Sequence, residues 1–214
     1  MELFKSERLL YRAPEDSAED KEFIHSSIIN DNTIQTMSTM RLSRPANKSA
    51  ADEFIKQMHG AVLGVLICLP APTSEDKTTT SEGSSPSTTT KPIPIGHMNI
   101  FYTHGADASH HRNAMIGISF AEGYRGKGYG GEAINWALDW AFMRGGFHRI
   151  SIGAFSFNTN ALKLYRKLGF VDEGRDREAI FHLRKWHDLV SLGMLENEWE
   201  ELRSKQSEIT HGGE

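Results

Sequence analysis

The chain has 214 residues, enough for one domain with a substantial hydrophobic core, and its 38% hydrophobic and 24% charged residues are typical of a globular protein. The net charge of −4, without a dense basic stretch, disfavours a nucleic-acid partner. The single cysteine, Cys68, excludes an internal disulfide and favours a reducing, cytoplasmic compartment, and its apolar neighbours predict a buried, inert thiol. No apolar stretch reaches the length of a membrane-spanning helix and the acidic N-terminus lacks a signal-peptide pattern, so we expect no membrane partner.

The first third of the chain predicts two strands with helices between them. Apolar spacing and helix-start residues indicate these elements. Pro14 and Asp16 would end the first strand and cap the helix that follows, and Ser49 with Asp52 resembles a capping box. In chain order we predict a strand over 3–12, a helix to about 30, short helical turns in 31–47, a helix over 49–59 and a buried strand over 61–69.

The segment 70–92 differs sharply from its surroundings in composition. It is rich in serine, threonine and proline, contains two threonine triplets and shows no apolar periodicity. Such a segment cannot bury enough surface to offset the entropy of ordering it, so we expect a disordered insertion that joins two strands. A tolerated surface insertion is the simplest interpretation, and a regulated or phosphorylated loop is the alternative.

The remainder of the chain alternates strands and helices, which predicts a mixed sheet covered by helices. We expect a closing hairpin, around Lys185 and Trp186, to add an antiparallel edge. We therefore predict one domain over 1–205 and a flexible tail at 206–214. The expected elements are strands over 93–104, 114–120 and 148–155, helices over 130–144 and 158–168, the hairpin strands 170–181 and 187–195, and a short helix over 196–205.

A glycine-rich stretch, 125–131, lies where the strand over 114–120 meets the next helix. Four glycines in six positions let successive amides point into one concavity at a helix N-terminus, an arrangement that binds phosphate. The alternative is a tight strand-to-helix loop without a ligand. The stretch lacks the G-x-G-x-x-G order of dinucleotide-binding proteins and the Gly-Lys-Ser/Thr ending of a P-loop.

Two blocks in the second half of the chain resemble the motifs of the GCN5-related N-acetyltransferases, the GNAT family. The first is Arg125-Gly126-Lys127-Gly128-Tyr129-Gly130. The second, 158–170, is similar to the pattern Asn-x-x-Ala-x-x-Leu-Tyr-x-x-x-Gly-Phe at every specified position. The flanks, from Ser6-Glu7-Arg8 to the Leu-Glu-Asn-Glu-Trp sequence at 195–199, resemble the RimJ/RimL-like branch.

This resemblance implies an α/β (α+β) GNAT fold and transfer of an acetyl group from acetyl-CoA to a primary amine. The expected sheet is mixed, mostly antiparallel and twisted, with about seven strands and a splayed parallel pair at the acetyl-CoA site. The resemblance assigns the pyrophosphate to the glycine loop and the pantetheine arm to the strand before it. The implied cofactor-binding residues are Gly117, Ile118, Ser119, Phe120, Arg125, Gly126, Lys127, Gly128, Tyr129, Gly130, Gly131, Asn158 and Tyr165.

Tyr165 and Asn158 each have a structural and a functional interpretation. Tyr165 matches the family tyrosine that protonates the leaving thiolate, and a phenol with a pKa of about 10 suits that role. Its spacing with Ala161 and Leu168 also permits simple core packing. Asn158 is placed to cap its helix, whereas the family uses this position to bind the cofactor arm; its amide has groups for both.

The general base and the acceptor are left open by the sequence. The strand over 114–120 carries no acid, so the candidate bases are Glu122, just beyond it, and His97 on the preceding strand. His104, Asp107, His110 and His111 occupy a loop that could border the acceptor site.

We favour a small-molecule amine over a peptide N-terminus as the acceptor, and a catalyst over a non-catalytic acyl-CoA-binding module, which would not need the Tyr165 phenol. The histidines have no recognised metal-ligand spacing, so no metal is expected. We expect a monomer or a homodimer.

Overall fold

The computed structural model describes residues 3–71 and 91–211, which form a seven-stranded sheet with helices on both faces. The strand order is β1-β2-β3-β4-β5-β7-β6. Within the described residues, no helix is both long and apolar enough to cross a membrane. The strands are β1 (Leu10–Arg12), β2 (Leu63–Leu69), β3 (Ile93–Tyr102), β4 (Asn113–Phe120), β5 (Arg149–Phe155), β6 (Val171–His182) and β7 (Lys185–Leu195). The α-helices are α1 (Ala18–Phe23), α2 (Asn32–Met37), α3 (Ser49–Gly60), α4 (Tyr129–Met143), α5 (Thr159–Lys167) and α6 (Glu196–His211).

The sheet is antiparallel except at its centre, where β4 and β5 run parallel. The connection between these two strands is α4, as expected because parallel neighbours need a crossover. The β6–β7 hairpin ends the sheet, with β6 at its edge, and α6 follows it in the chain. This confirms the predicted mixed, mostly antiparallel sheet of about seven strands with one parallel pair.

The core has two parts because both faces of the sheet are covered. On one face, Val65 and Ile67 of β2 belong to the large cluster that includes α4 and α5. On the other, Leu66 and Cys68 pack against α3 and the segment after α1. Burial on both faces explains why β2 is apolar at nearly every position. Cys68 is fully buried, and burial raises the pKa of its thiol to about 11, so the prediction of a buried thiol is confirmed.

The N-terminal elements differ from the predicted boundaries. β1 has three residues rather than ten, because Ser6 donates a backbone hydrogen bond to Leu9 and turns the chain before the strand begins. The cap of α1 is Ser17, not Asp16; its hydroxyl accepts a hydrogen bond from the Asp20 amide at 3.2 Å. The helix then continues as a π-helical segment, Ile24–Ile29.

Three other local predictions were wrong. The expected capping box of α3 is absent from the described chain: Lys48 is the cap, and the Ser49 hydroxyl donates to Asn47 instead. The hairpin turns at Leu183 and Arg184, both with positive φ, two residues before the predicted Lys185 and Trp186. The last helix extends to His211 rather than 205. The predicted disordered insertion lies almost entirely at 72–90, outside the described residues.

Candidate active site

The two parallel strands at the centre of the sheet separate toward their C-terminal ends. Their ladder, in the described structure, consists of the pairs Asn113–Arg149, Ala114–Ile150 and Met115–Ser151. β4 then continues to Phe120, paired with β3 on its other side, without a partner on the β5 side. Because a strand edge carries backbone N–H and C=O groups, the stretch Gly117 to Phe120 offers hydrogen bonds to an extended ligand in this opening. The splayed pair that the resemblance implied is therefore present.

The glycine loop turns from β4 into α4 at the mouth of this opening. Gly123, Gly126 and Gly128 all have positive φ, and Gly128, at φ 84°, is the N-cap of α4. No side chain caps this helix in the described structure, so the amides of its first turn are available to an anion. The loop conformation thus favours phosphate binding, with glycine required at Gly128.

The glycines at the start of α4 also serve helix packing. A Cβ atom at Gly130 would lie 3.4 Å from Leu164 of α5, and one at Gly131 would lie 3.5 Å from the same side chain. These two glycines therefore bring α5, which carries Asn158 and Tyr165, close to the loop. These glycines thus have a structural role in helix packing, and phosphate binding by the loop stays a prediction.

Arg125 contacts the protein rather than facing outward from the loop. Its Nε donates to the Phe120 carbonyl at 2.8 Å, and its guanidinium forms an ion pair with Asp31 at 2.6 Å. These contacts connect the end of β4 to the start of α2. Lys127, by contrast, is exposed, with its ammonium 5.6 Å from the centre of the Tyr124 ring.

Asn158 and Tyr165 lie at either end of the helix packed against the loop. The Asn158 carboxamide oxygen accepts a hydrogen bond from the Ala161 amide at 3.3 Å, which confirms the capping role. Its amide nitrogen has no partner among the described residues, so it is available to a ligand. Tyr165 is 8% exposed, packs near Phe170, and its hydroxyl has no hydrogen bond within the described chain. Burial raises the pKa of the Tyr165 phenol to about 12, so it is protonated at neutral pH.

His97, one candidate base, lies on β3 directly opposite Ser119 of β4. It is 8% exposed, its ring packs edge-on against Phe54, and burial lowers its pKa to about 4. The imidazole is therefore neutral at neutral pH. Its Nδ1 is buried without a hydrogen-bond partner, as is the side-chain oxygen of Asn99 two residues along the same strand. Unpartnered buried polar groups are costly, which makes this pair of acceptors a candidate for function.

Glu122, the other candidate base, is exposed just after β4. It lines a cavity of about 340 Å³ between the α1 region and the ends of β3 and β4, together with Ser26, Ser27 and Asp31. Glu122 forms no ion pair within residues 3–71 and 91–211. The carboxylate is therefore free to attract a cation into the cavity.

The histidine-rich loop is placed away from these groups. His104, Asp107, His110 and His111 lie between β3 and β4, at the end of β4 opposite the opening. The eight residues of β4 rise by about 3.3 Å each, so roughly 20 Å separate the two ends. This distance from the glycine loop disfavours the expectation that the histidine-rich loop borders the acceptor site.

The sequence-based assignment missed Arg8, a charged residue near the N-terminus that contacts both Glu132 of α4 and the glycine loop. Glu132 of α4 accepts hydrogen bonds from the Ser6 hydroxyl at 2.7 Å, the Arg8 amide at 2.7 Å and Arg8 Nε at 2.8 Å. Arg8 Nη1 also donates to the Lys127 carbonyl at 3.3 Å. The Ser-Glu-Arg sequence near the N-terminus was the available signal, but its contact with the loop depends on the fold.

Comparisons with known proteins agree with this geometry. Residues 8–171 match the acetyltransferase (GNAT) domain model. The chain is 34% identical over 91 residues to the uncharacterized N-acetyltransferase YokL of Bacillus subtilis and 33% identical over 89 residues to spermidine N(1)-acetyltransferase of Vibrio cholerae. The putative ribosomal N-acetyltransferase YdaF of B. subtilis is 32% identical over 89 residues. These alignments cover 42% of this chain and about half the length of the curated relatives, 51%, 51% and 49% respectively.

Solved structures share the fold over nearly their whole length. A GNAT acetyltransferase from Bacillus anthracis aligns with a TM-score of 0.67 and 24% identity, covering 91% of this chain and 98% of that one. Spermidine N-acetyltransferase from V. cholerae, solved with CoA and spermine, aligns with a TM-score of 0.67 and 22% identity, covering 90% and 98%. Because the acetyltransferase (GNAT) domain model matches most of the chain, residues 8–171, the chain belongs to the GNAT acetyltransferase family, whose members use acetyl-CoA.

Proposed function

We propose that this protein is an acetyl-CoA-dependent N-acetyltransferase that modifies a primary amine of a small molecule. The observation that carries the proposal is the opening between β4 and β5, which ends at an uncapped α4 N-terminus against which α5, the helix that carries Tyr165, is packed. Family membership supports the use of acetyl-CoA. The single buried cysteine and the apolar core are consistent with action in the cytoplasm as one domain.

The cofactor is proposed to lie along the free edge of β4, with its pyrophosphate at the glycine loop. Amides of the segment from Gly126 to Gly131 would bind the phosphates, and Lys127 would add a positive charge. The backbone of Gly117 to Phe120 would bind the pantetheine arm. The free amide nitrogen of Asn158 is placed to contact the same arm, although Arg125, paired with Asp31, is less suited to bind phosphate than its motif implies.

The reaction needs a proton donor for the thiolate that leaves as the amide bond forms. In the proposed mechanism the amine nitrogen attacks the thioester carbonyl, the carbon–sulfur bond breaks and the Tyr165 hydroxyl protonates the sulfur. Burial raises the pKa of Tyr165 to about 12. The same apolar surroundings disfavour a thiolate as much as a phenolate, so the proton transfer remains workable in this site.

The attacking nitrogen must lose a proton, and His97 is the proposed acceptor of it. A cationic amine first loses one proton to water, which gives the neutral nitrogen that attacks. The nitrogen then becomes strongly acidic as it bonds to the carbonyl carbon, so a neutral imidazole of low pKa can take the second proton at that moment. His97 is opposite Ser119, within the strand proposed to bind the cofactor. Its unpartnered Nδ1 and the oxygen of Asn99 would accept hydrogen bonds from an amine.

Glu122 is proposed to attract the acceptor rather than to act as the base. It lies at the edge of the 340 Å³ cavity, and its carboxylate would favour a cationic amine. The likeness to a spermidine acetyltransferase supports a polyamine-type acceptor. The alternative is the N-terminus of a protein, as in the RimJ/RimL-like branch, and the likeness to a putative ribosomal acetyltransferase supports that option.

A kinetic comparison of acceptors distinguishes these two classes. Acetylation would be measured by mass spectrometry with spermidine, an arylalkylamine, an amino sugar and a peptide with a free N-terminus, for the wild type and Glu122→Gln. We expect the highest kcat/KM with a polyamine, and a several-fold higher KM for it in Glu122→Gln. Glu200→Gln, at an exposed position on α6, serves as the control. Efficient acetylation of the peptide alone would refute the small-molecule proposal.

A further inference from the structure

The cation that the family motif predicts beside the glycine loop is supplied in this protein by a different part of the chain. Arg125, the arginine of the motif, donates to the Phe120 carbonyl and pairs with Asp31. Arg8 instead contacts the loop from outside, 119 residues away in sequence from the Lys127 carbonyl that it binds. We propose that Arg8 is a phosphate-binding residue of the acetyl-CoA site.

The Arg8 guanidinium is held in a defined orientation by two acceptors. Nε donates to Glu132 at 2.8 Å and Nη1 to the Lys127 carbonyl at 3.3 Å. The guanidinium carbon also lies 4.8 Å from the centre of the Tyr129 ring, the first residue of α4. Two hydrogen bonds and one stacking contact therefore restrict the side chain before any ligand binds, which lowers the entropic cost of binding.

The remaining nitrogen of Arg8 is directed toward the loop. Nη2 lies 3.4 Å from the position that a Cβ of Gly128 would occupy, and Gly128 is the N-cap of the uncapped helix α4. Nη2 has no hydrogen-bond partner among the residues that the structure describes. Its N–H groups and the amides of the helix terminus are thus close enough to bind one phosphate group together.

The space beside Arg8 meets the glycine loop at Gly128 and is open to a ligand group. Arg8 and Gly128 line a common cavity of about 870 Å³ that extends along α4 past Glu132 to Asp139. The Arg8 side chain is 46% exposed, so a ligand can reach it from this cavity. A phosphate bound at the loop, or the ribose 3′-phosphate of the same cofactor, would contact the free edge of the guanidinium.

The negative charge of Glu132 does not prevent Arg8 from binding a phosphate, because the Glu132 carboxylate contacts only one side of the guanidinium. Its carboxylate accepts three hydrogen bonds, one each from Ser6, the Arg8 amide and Arg8 Nε, and is 12% exposed. Burial alone would raise the pKa of Glu132, but the hydrogen bonds from Arg8 and Ser6 lower it overall. The carboxylate thus holds one side of the planar guanidinium and leaves the other side for a ligand.

This inference rests on the proposed function and is tested by calorimetric titration of the full chain with CoA. We would compare the wild type, Arg8→Gln, Arg8→Lys and a matched control, Arg112→Gln. Arg112 is 53% exposed and, like Arg8, contacts one carboxylate and one backbone carbonyl, Glu196 and Gly146, but it lies before β4 at the far end of the strand. The melting temperature of each variant would be recorded.

We expect Arg8→Gln to bind CoA about ten-fold more weakly, or worse, as for a lost charge-assisted hydrogen bond, while Arg112→Gln binds as the wild type does. Arg8→Lys, which keeps the charge, should recover part of the affinity. Raising the salt concentration should weaken binding to the wild type more than to Arg8→Gln, because only the former has the charge.

Two further outcomes locate or refute the contact. Loss of affinity for CoA but not for 3′-dephospho-CoA would assign Arg8 to the 3′-phosphate, and loss for both would assign it to the pyrophosphate. Equal Kd values for the wild type and Arg8→Gln, or a loss with unchanged salt dependence and no recovery in Arg8→Lys, would overturn the proposal. Absence of CoA binding by the wild type would instead refute the proposed function itself.

Discussion

Tyr165 combines a packing role with an available hydroxyl. Its ring is buried against Phe170, yet its oxygen has no hydrogen bond within the described chain. The hydroxyl is therefore available to a ligand, on the helix that packs against the glycine loop.

We expect Tyr165→Phe to lower kcat by ten-fold or more while the Kd for acetyl-CoA changes by less than about three-fold. Phenylalanine keeps the ring packing and removes the proposed proton donor, so the melting temperature should remain close to that of the wild type. Steady-state kinetics and calorimetry check the two quantities. Unchanged turnover would remove Tyr165 from the mechanism.

The lowered pKa of Glu132 predicts how the contribution of this residue to stability depends on pH. Its folded-state pKa lies below the value of 4.5 for an unperturbed Glu, so its contribution is present above pH 4.5 and is lost as the pH falls through the folded-state pKa. Glu132→Gln should therefore destabilise the protein by about 1–3 kcal/mol at pH 7, as hydrogen bonds to a charged group are lost.

Urea unfolding of the wild type and Glu132→Gln over a range of pH measures this difference. The difference between the two free energies of unfolding should shrink as the pH falls below 4.5 and disappear below the folded-state pKa, where Glu132 is protonated in both the unfolded and the folded state. A constant difference at every pH would mean that the charge of Glu132 contributes nothing.

The motifs predicted single residues well where local sequence sets their position, and less well where distant contacts do. The capping role of Asn158 follows from its place at the start of a helix. The partners of Arg125 and Arg8 could not be predicted, because Asp31 and Glu132 reach them only in the folded chain. The sequence could not choose between His97 and Glu122 as the base, and the proposal of His97 depends on its burial and its unpartnered Nδ1, which only the fold shows.

At the scale of elements, the candidate site depends on the junction of β4 and α4. The glycine loop uses positive φ at Gly126 and Gly128, and the helix begins with free amides. The sequence predicted this junction because glycine clusters and helical periodicity are local signals. It did not predict the short β1, the π-helical segment after α1 or the position of the hairpin turn, which depend on tertiary packing.

Gly128→Val should abolish measurable CoA binding, since valine is strained at φ 84° and its side chain would meet Arg8. We expect a loss of about 1–3 kcal/mol in the free energy of unfolding as well. Calorimetry and urea unfolding check the two effects.

Gly105→Val is the control for backbone strain, because Gly105 also has a φ of 84°, with ψ 171° instead of −7°, and lies in the loop after β3, where a Cβ would contact nothing within 4 Å. It should lose at least as much stability and still bind CoA normally. Normal CoA binding by Gly128→Val would contradict the assignment of the loop.

At the scale of the whole molecule, β2 ends beside the start of β3, so a connection much shorter than residues 72–90 would be long enough to join these two strands. Leu69 at the end of β2 and Ile93 at the start of β3 are directly opposite each other in an antiparallel pair. The chain can therefore pass from one strand to the other through a short turn. Both strands are largely buried and pair along their length, so their register does not depend on the connection.

We expect replacement of residues 72–90 by a short Asn-Gly-containing turn to leave the fold intact and to change the melting temperature by no more than a few degrees. Thermal unfolding followed by circular dichroism measures this. A large decrease in melting temperature would show that the segment contributes to packing, contrary to its composition.

The central claim is that the protein transfers an acetyl group from acetyl-CoA to an amine. The most direct measurement is the release of free thiol from acetyl-CoA, with and without a polyamine, together with the amount of acetylated amine formed. We expect thiol release that depends on the amine and equals the acetylated product in amount. Binding of acetyl-CoA without thiol release for any amine, or release that is independent of the amine, would contradict it.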